Sequence, residues 1–208
     1  KTKEIILGTT TKRVMREWTR FCKYDETVGS INDGDSGGGK TLKCDILANL
    51  AVLKGNMVVL KVAGFEPTEK EIQFFQTINH CCLYFDEFDK LFSIEIQNKM
   101  LSLLTNQSKK FLVLITGNET RRISNFLYGR TQRARYRESF NKIDEQFVKD
   151  YMSLYPNIRE DFKEEFLSRY RKALTFSVDN LEGVISEHLD YHDDTLDELL
   201  EYINIQTL

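Results

Sequence analysis

Apolar residues in this 208-residue chain follow two periodicities, one typical of buried strands and one typical of helices. Short and nearly uninterrupted apolar runs predict four strands, at 28–31, 57–62, 81–85 and 111–115. Apolar positions spaced three or four residues apart predict helices between them, at 11–22, 40–53, 69–78 and 94–104. This alternation indicates an α/β fold, in which helices flank a parallel sheet on both faces.

The last third of the chain has a different pattern. From about residue 144 no further strand is indicated, and the spacing predicts three or four helices, near 144–154, 159–173, 178–189 and 194–203. We therefore expect an α/β core over residues 1–140, followed by a small all-helical lid subdomain over residues 141–208.

Composition and charge agree with that division. The chain is 41% hydrophobic and has only 2 Pro, which excludes a disordered or collagen-like protein. The formal net charge of −3 argues against a globally basic nucleic-acid binder. However, residues 1–140 carry 22 Lys and Arg against 16 Asp and Glu, whereas residues 141–208 carry 7 against 16. We therefore expect a basic core and an acidic lid. A local basic patch that binds nucleic acid stays an open alternative.

The four cysteines indicate a reducing compartment. Cys22, Cys44, Cys81 and Cys82 show no paired spacing of the kind that binds zinc, so we expect reduced thiols and an intracellular, cytoplasmic protein. No apolar run approaches the ~20 residues of a transmembrane helix, so we expect no membrane segment within this sequence. The sequence begins at Lys1, and it shows no signal peptide.

A glycine-rich loop carries the most specific signal. It fits the phosphate-loop pattern G-x-x-x-x-G-K-[ST] without a mismatch: Gly34, Asp35, Ser36, Gly37, Gly38, Gly39, Lys40 and Thr41. Glycines allow backbone N–H groups to turn around a polyphosphate, and the helix that follows adds its N-terminal dipole. Lys40 would reach the β- and γ-phosphates, and Thr41 would hold Mg²⁺. The alternative, a glycine-rich surface turn, is disfavoured by the strand before the loop and the helix after it.

Two acidic residues follow the buried run at 81–85. A strand that ends in Asp86-Glu87 has the Walker B arrangement, in which Asp86 holds Mg²⁺ through water and Glu87 is the general base for the attacking water. A solvated acidic turn is the alternative. Asp89 is either a supporting residue of this site or an exposed one.

A polar residue also follows the run at 111–115. Asn118 lies where a side chain beside the Walker B strand could orient the attacking water and sense the γ-phosphate. Asparagine is also common in turns, so the spacing alone is only moderately specific.

Six arginines lie within 17 residues: Arg121, Arg122, Arg130, Arg133, Arg135 and Arg137. Three interpretations compete for this cluster. It is a solvated face, a nucleic-acid patch, or a source of arginine fingers that reach the ATP of a neighbouring subunit. Composition does not choose among them.

The order of these features resembles the AAA+ ATPases, which form rings that are usually hexameric. The resemblance implies Mg-ATP hydrolysis and a homo-oligomer. The segment 130–136 resembles the R-P-G-R stretch of the classical AAA clade, which implies that Arg130 and Arg133 are inter-subunit fingers. In this chain Thr131 and Gln132 replace the Pro and Gly of that stretch.

A narrower resemblance covers most of the chain. Segments 5–7 and 18–21, and the helical segments around 147–156, 176–181 and 196–200, are similar to the mitochondrial Rieske-protein translocase AAA family. Asp35-Ser36 replaces the Pro-Pro of that family's phosphate loop, and only 12 residues separate Phe21 from Gly34. These departures are typical of a compact, divergent relative of the kind that viruses or mobile elements carry.

Three functions follow as hypotheses. The first is a ring-forming AAA+ ATPase that remodels or translocates a protein partner, in a chaperone-like role. The second is a DNA-directed ATPase, such as a helicase loader or a replication or transposition factor. The third is a nucleotide-gated scaffold with little turnover. Phe65 could line a pore, but the order of residues around it favours a turn before the helix at Glu69.

Overall fold

The computed structural model describes residues 9–105, 109–128 and 134–205. The chain divides into two compact units. The core unit comprises Lys12–Asp35 and Lys40–Ser139. Within the described residues, the helical unit comprises the chain from Phe140 onwards, together with Ser36–Gly39 and residues 9–11.

Five parallel strands form the sheet of the core unit: β1 (Val28–Asp33), β2 (Val58–Val62), β3 (Cys81–Phe85), β4 (Phe111–Thr116) and β5 (Tyr136–Ser139). Their order is β2-β3-β4-β1-β5. The predicted α/β class with a parallel sheet is confirmed. The edge strand β5 was not predicted, because Tyr136-Arg-Glu-Ser is polar and lies within the arginine cluster.

One helix, α1 (Thr9–Lys23), precedes β1, and the others occupy the connections between the strands of the core unit. These are α2 (Lys40–Gly55), α3 (Glu69–Thr77), α4 (Phe88–Leu91), α5 (Ile94–Thr105) and α6 (Asn125–Tyr128), with a 3-10 turn at Thr120–Arg122. The start of α3 is fixed by a capping box, in which Thr68 and Glu71 satisfy each other's backbone N–H groups.

The neighbouring strands β3 and β4 are almost entirely apolar because each one supplies two cores. Successive side chains of a strand point to opposite faces of the sheet. Thus Leu83 and Phe85 enter a core that includes residues of α3 and α5, whereas Cys82 and Tyr84 enter a core that includes residues of α1 and α2. Burial on both faces removes the polar alternation of a half-exposed strand.

The spacing predicts three or four helices after residue 144, and the described part of the chain beyond residue 140 has four: α7 (Glu145–Ser153), α8 (Glu160–Lys172), α9 (Val178–Asp190) and α10 (Leu196–Tyr202). Side chains of Asp144, Ser177 and Thr195 cap α7, α9 and α10 by accepting from backbone N–H groups. The core of this unit is largely aromatic, and Phe166 packs edge-on against Phe176. In the described part of the chain, no helix has both the length and the apolar character to cross a membrane.

Candidate functional site

The carboxyl ends of three neighbouring strands meet at one edge of the sheet. β4 lies between β1 and β3, with Thr116 in register with Asn32 and Ile115 in register with Phe85. The loops that follow these strands therefore leave the sheet side by side. The register brings the start of the glycine-rich loop, the Asp86-Glu87 pair and Asn118 to the same edge. This edge is the usual ligand-binding position in open α/β sheets.

The backbone of the glycine-rich loop requires glycine at several positions. Gly34, Gly37 and Gly39 have φ angles of 122°, 74° and 97°, a region that residues with a side chain rarely adopt. α2 begins directly after the loop, at Lys40. The helix N-terminus thus contributes unpaired N–H groups and a positive partial charge, which suit an anion.

Lys40 is held by its own loop. Its side chain is buried, and Nζ donates to the carbonyl oxygens of Gly34 at 2.7 Å and Asp35 at 2.6 Å. Burial lowers the pKa of Lys40, and the carboxylates of Asp35 and Asp89 oppose that shift. Thr41, the next residue, is exposed.

The tip of the loop, Ser36–Gly39, groups with the helical unit. The backbone N–H of Val178 donates to the carbonyl oxygen of Gly37 at 3.1 Å. The Asp179 carboxylate lies so close to Gly37 that an added Cβ would be 2.4 Å from Oδ2. Both contacts come from the first turn of α9, and no sequence pattern pairs positions about 140 residues apart.

Thr116 fixes the acidic pair, a role that the sequence did not reveal. Its hydroxyl donates to Asp86 Oδ1 at 2.5 Å and accepts from the backbone N–H of Glu87 at 3.0 Å. Lys61 Nζ lies 3.4 Å from Asp86 Oδ2. Thr116 is buried at the end of β4, so these hydrogen bonds connect the turn after β3 to the neighbouring strand β4.

Glu87 has an unusual backbone and an accessible side chain. Its φ of 50° is left-handed, which is strained for a non-glycine residue and common at functional sites. The side chain is about half exposed, and Oε1 accepts from Lys90 Nζ at 2.7 Å. This hydrogen bond raises the pKa of Lys90. The carboxylate is therefore reachable by solvent and restrained by one flexible cationic partner.

Asp89 supports the segment that carries Asn118. The Asp89 side chain is buried, and Oδ2 accepts from the backbone N–H of Glu119 at 2.7 Å. Asn118 is half-buried between Gly117 and Glu119. The structure thus places Asp89 behind the site as a positioning residue and not among the exposed acids.

A buried ion network lies behind the loop in the core unit. Lys43 Nζ donates to Glu17 Oε1 at 2.6 Å and to Asn32 Oδ1 at 2.8 Å, and lies 3.0 Å from Glu138 Oε2. Arg13 pairs with the same Glu138 at 2.7 Å. These contacts tie α1, β1 and β5 to the first turn of α2. No local pattern signals them, because the partners come from four separate elements.

The arginine cluster is only partly described. Arg130 and Arg133, the predicted fingers, lie outside the described residues. Arg122 pairs with Glu119 at 3.0 Å, and Arg137 donates to the carbonyl oxygen of Leu127 at 3.4 Å. Arg135 is exposed just before β5.

The donor set fits Mg²⁺ bound together with phosphates. Mg²⁺ is usually held by one or two protein oxygens, with phosphate oxygens and water as its other ligands. Thr41 and Asp86 are groups of that kind. Among the residues that the structure describes, no cluster of three His, Cys, Asp or Glu could hold a metal ion by itself. A metal at this edge would therefore depend on the nucleotide.

Comparison with known proteins places this arrangement in a family. A parallel sheet with a phosphate loop after its first strand defines the P-loop NTPase class of fold. The model of the ATPase family associated with various cellular activities (AAA) matches residues 33–139. The chain belongs to this family of ATPases. Its sequence matches no curated protein.

Solved AAA+ structures are similar to the chain in fold. Domain III of the replication initiation protein DnaA from Thermotoga maritima is 13% identical, with a TM-score of 0.59 over 98% of this chain and 95% of that one. A RuvB mutant from Thermotoga maritima is also 13% identical, with a TM-score of 0.63 over 97% and 72%. A chain of the HORMA:CdnC:Trip13 complex from E. coli MS115-1 is 14% identical, with a TM-score of 0.59 over 97% and 85%. At these identities the likeness concerns the fold.

Proposed function

We propose that this chain is a Mg-ATP-hydrolysing AAA+ ATPase that assembles into a ring and remodels or translocates a protein partner. One observation carries the ATPase part of the proposal. The glycine-rich loop, the Asp86-Glu87 pair and Asn118 follow three neighbouring strands at the same sheet edge. Membership of the AAA family supports the same activity.

Nucleotide binding would use the whole loop from Gly34 to Thr41. Its backbone N–H groups would surround the phosphates, and Lys40 would exchange its two loop carbonyls for β- and γ-phosphate oxygens. Thr41 and Asp86 would hold Mg²⁺, which neutralises the charge that develops on the phosphates. Thr116 keeps Asp86 in place for this role.

Hydrolysis would depend on Glu87 and Asn118. Glu87 would accept a proton from the attacking water, for which its carboxylate has to leave Lys90 and turn toward the γ-phosphate. Asn118 would orient that water by hydrogen bonding. Asp89 acts indirectly, because it fixes the backbone that follows Asn118.

Removal of Lys40 tests the binding half of the proposal. Lys40→Ala should weaken ATP affinity by at least about 100-fold, since charge-assisted hydrogen bonds contribute ~1.5–3 kcal/mol each. Lys54→Ala changes an exposed lysine of the same helix and should bind ATP as the wild type does. Equilibrium binding of a fluorescent ATP analogue measures both. Equal affinity in the two variants would remove Lys40 from the site.

The ring is the oligomeric part of the proposal. Arg130 and Arg133 of an adjacent copy would stabilise the charge of the transferred phosphate, as the classical AAA resemblance implies. One structural neighbour comes from a multi-protein complex, HORMA:CdnC:Trip13, which is compatible with protein partners. Particle mass with and without a slowly hydrolysed ATP analogue tests the ring. A monomer under both conditions would contradict it.

A DNA-directed ATPase is the second candidate. The excess of Lys and Arg in residues 1–140 supports it, as does the likeness to a domain of a replication initiation protein. Phosphate release measured with and without DNA separates the two candidates. Stimulation by DNA favours the second one, and stimulation by a protein only favours the first.

A further inference from the structure

A basic groove lies on the outer side of the core unit. It has a volume of about 730 Å³, and the exposed face of α1 forms one wall, while the start of β5 contributes to the other. Five of its lining residues are cations: Lys12, Arg16, Arg20, Lys23 and Arg135. None of them belongs to the nucleotide site described above.

The cations of α1 form a regular row. Residues 12, 16, 20 and 23 are spaced four, four and three positions apart, so they share one face of the helix. An α-helix rises about 1.5 Å per residue, so neighbouring cations lie about 4.5–6 Å apart along the axis. A straight row of positive charges matches a ligand with a row of negative charges better than it matches a single ion.

Ion pairs within the protein neutralise only part of this row. Among the described residues, no carboxylate forms an ion pair with Lys12, Arg16, Lys23 or Arg135. Arg20, the third cation of the row, pairs with Glu26, and both Arg20 and Lys23 lie over the Tyr24 ring, 4.5 and 5.3 Å from its centroid. Like charges on adjacent turns of a helix are destabilising. A bound polyanion would relieve this repulsion.

The groove is separate from the candidate ATP site. Tyr24 precedes β1 by a few residues, and Tyr136 is the first residue of β5. Tyr136 is in register with Ser30, in the middle of β1, so both tyrosines come before the carboxyl ends of these parallel strands, where the candidate ATP site lies. A ligand in the groove does not compete with the nucleotide for the same atoms.

We propose that this groove binds the phosphodiester backbone of a single nucleic-acid strand. The open groove and the exposed cations do not converge on a buried point, which disfavours a single phosphate ion. Two tyrosine rings line the groove, and Tyr24 is 41% exposed. Aromatic rings beside a row of cations are the usual combination in single-strand binding sites, because bases stack on them.

The test removes the three α1 cations that have no carboxylate partner among the described residues, and it measures binding without nucleotide. Fluorescence anisotropy with a labelled oligo-dT of about 20 nucleotides should show binding by the wild type at low salt. The triple variant Lys12→Gln, Arg16→Gln, Lys23→Gln should bind at least about 10-fold more weakly. Its slope of log affinity against log salt should be smaller by about 2, since each phosphate contact on a single strand contributes about 0.7.

A matched control removes the same charge elsewhere. Lys54→Gln, Lys70→Gln, Lys172→Gln changes three exposed lysines outside the groove and should bind oligo-dT as the wild type does. The single variant Arg16→Gln should reduce the salt slope by about 0.7, which keeps the test valid if the triple variant folds poorly. Unchanged oligo-dT binding by the control triple variant and a smaller salt slope for Arg16→Gln would each support binding of the strand in the groove.

Other results would overturn the proposal. They are no binding of oligo-dT by the wild type, equal losses in the groove and control triples, or a preference for polyglutamate or anionic lipid vesicles over oligo-dT. Because the measurement needs no ATP, it stays separate from the ATPase proposal. Loss of phosphate release in Glu87→Gln with unchanged oligo-dT binding would show that the two functions are independent.

Discussion

The two units of this chain place their charged residues differently. In the core unit, Lys40, Lys43 and Asp89 are all buried and hydrogen-bonded. In the helical unit, charged residues pair on the surface, as Arg169 does with Asp197. The interior there is mainly aromatic and aliphatic. Burying a charge is costly unless partners compensate, so buried charges mark the part of the fold that is organised for chemistry.

Positive φ angles do not follow that division. In the core unit they occur at Gly34 and Glu87, near the sheet edge of the candidate site, but also at Asn56 and His80, just before β2 and β3. In the described part of the helical unit they occur at Gly37, Gly39 and Asn204. Glu87 is the non-glycine residue with a positive φ angle that belongs to the candidate site.

The largest stability effect is expected from the buried network of the core unit. Lys43→Met should lower the free energy of unfolding by about 3–5 kcal/mol, because Glu17 and Glu138 would keep buried charges without their common partner. Chemical denaturation measures this change. A loss below about 1 kcal/mol would mean that the network contributes no more than a surface pair.

A smaller effect, which depends on pH, is expected in the helical unit. His188 is buried and stacks on Phe162 with the ring centroids 3.7 Å apart, and neither ring nitrogen has a partner among the described residues. Burial lowers the pKa of His188, so the folded state favours the neutral ring.

This contribution to stability is present above the ordinary histidine pKa near 6.5 and is lost as the pH falls through the lowered one. The melting temperature should therefore fall as the pH is reduced from about 7.5 to about 5.5. His188→Phe should weaken that dependence, and an identical pH profile for the variant would contradict it.

The smallest effect is expected from a surface pair of the helical unit. Lys163 Nζ lies 2.6 Å from Glu160, whose side chain is 82% exposed. Solvent screens such a pair, so Lys163→Gln should change the free energy of unfolding by less than about 1 kcal/mol. If Lys163→Gln lowered the free energy of unfolding as much as Lys43→Met does, the charged pairs of the two units would contribute equally to stability. That result would contradict the contrast drawn between them.

Local patterns predicted the parts of the structure that depend on neighbouring residues. The phosphate loop, the Asp86-Glu87 pair and the central strands each have a signal within about ten residues, and the parallel sheet follows from their alternation. The edge strand β5 was missed, because Glu138 is buried by pairing with Lys43 and Arg13 and not by apolar character.

Contacts between distant residues could not be predicted. Thr116 has the sequence signature of a polar strand end, and only the register of β3 and β4 shows that its hydroxyl holds Asp86. The contact of Asp179 with Gly37 likewise depends on tertiary structure. The finger roles of Arg130 and Arg133 stay predictions, because these residues lie outside the described part of the chain.

The most direct test of the central claim is steady-state phosphate release at saturating Mg-ATP. Glu87→Gln should keep ATP affinity and lower turnover by about 10²–10⁴-fold, since the amide cannot accept a proton from water. Glu119→Gln, an exposed glutamate at the same sheet edge, should turn over as the wild type does. Wild-type turnover by Glu87→Gln, or no phosphate release by the wild-type protein, would contradict the account.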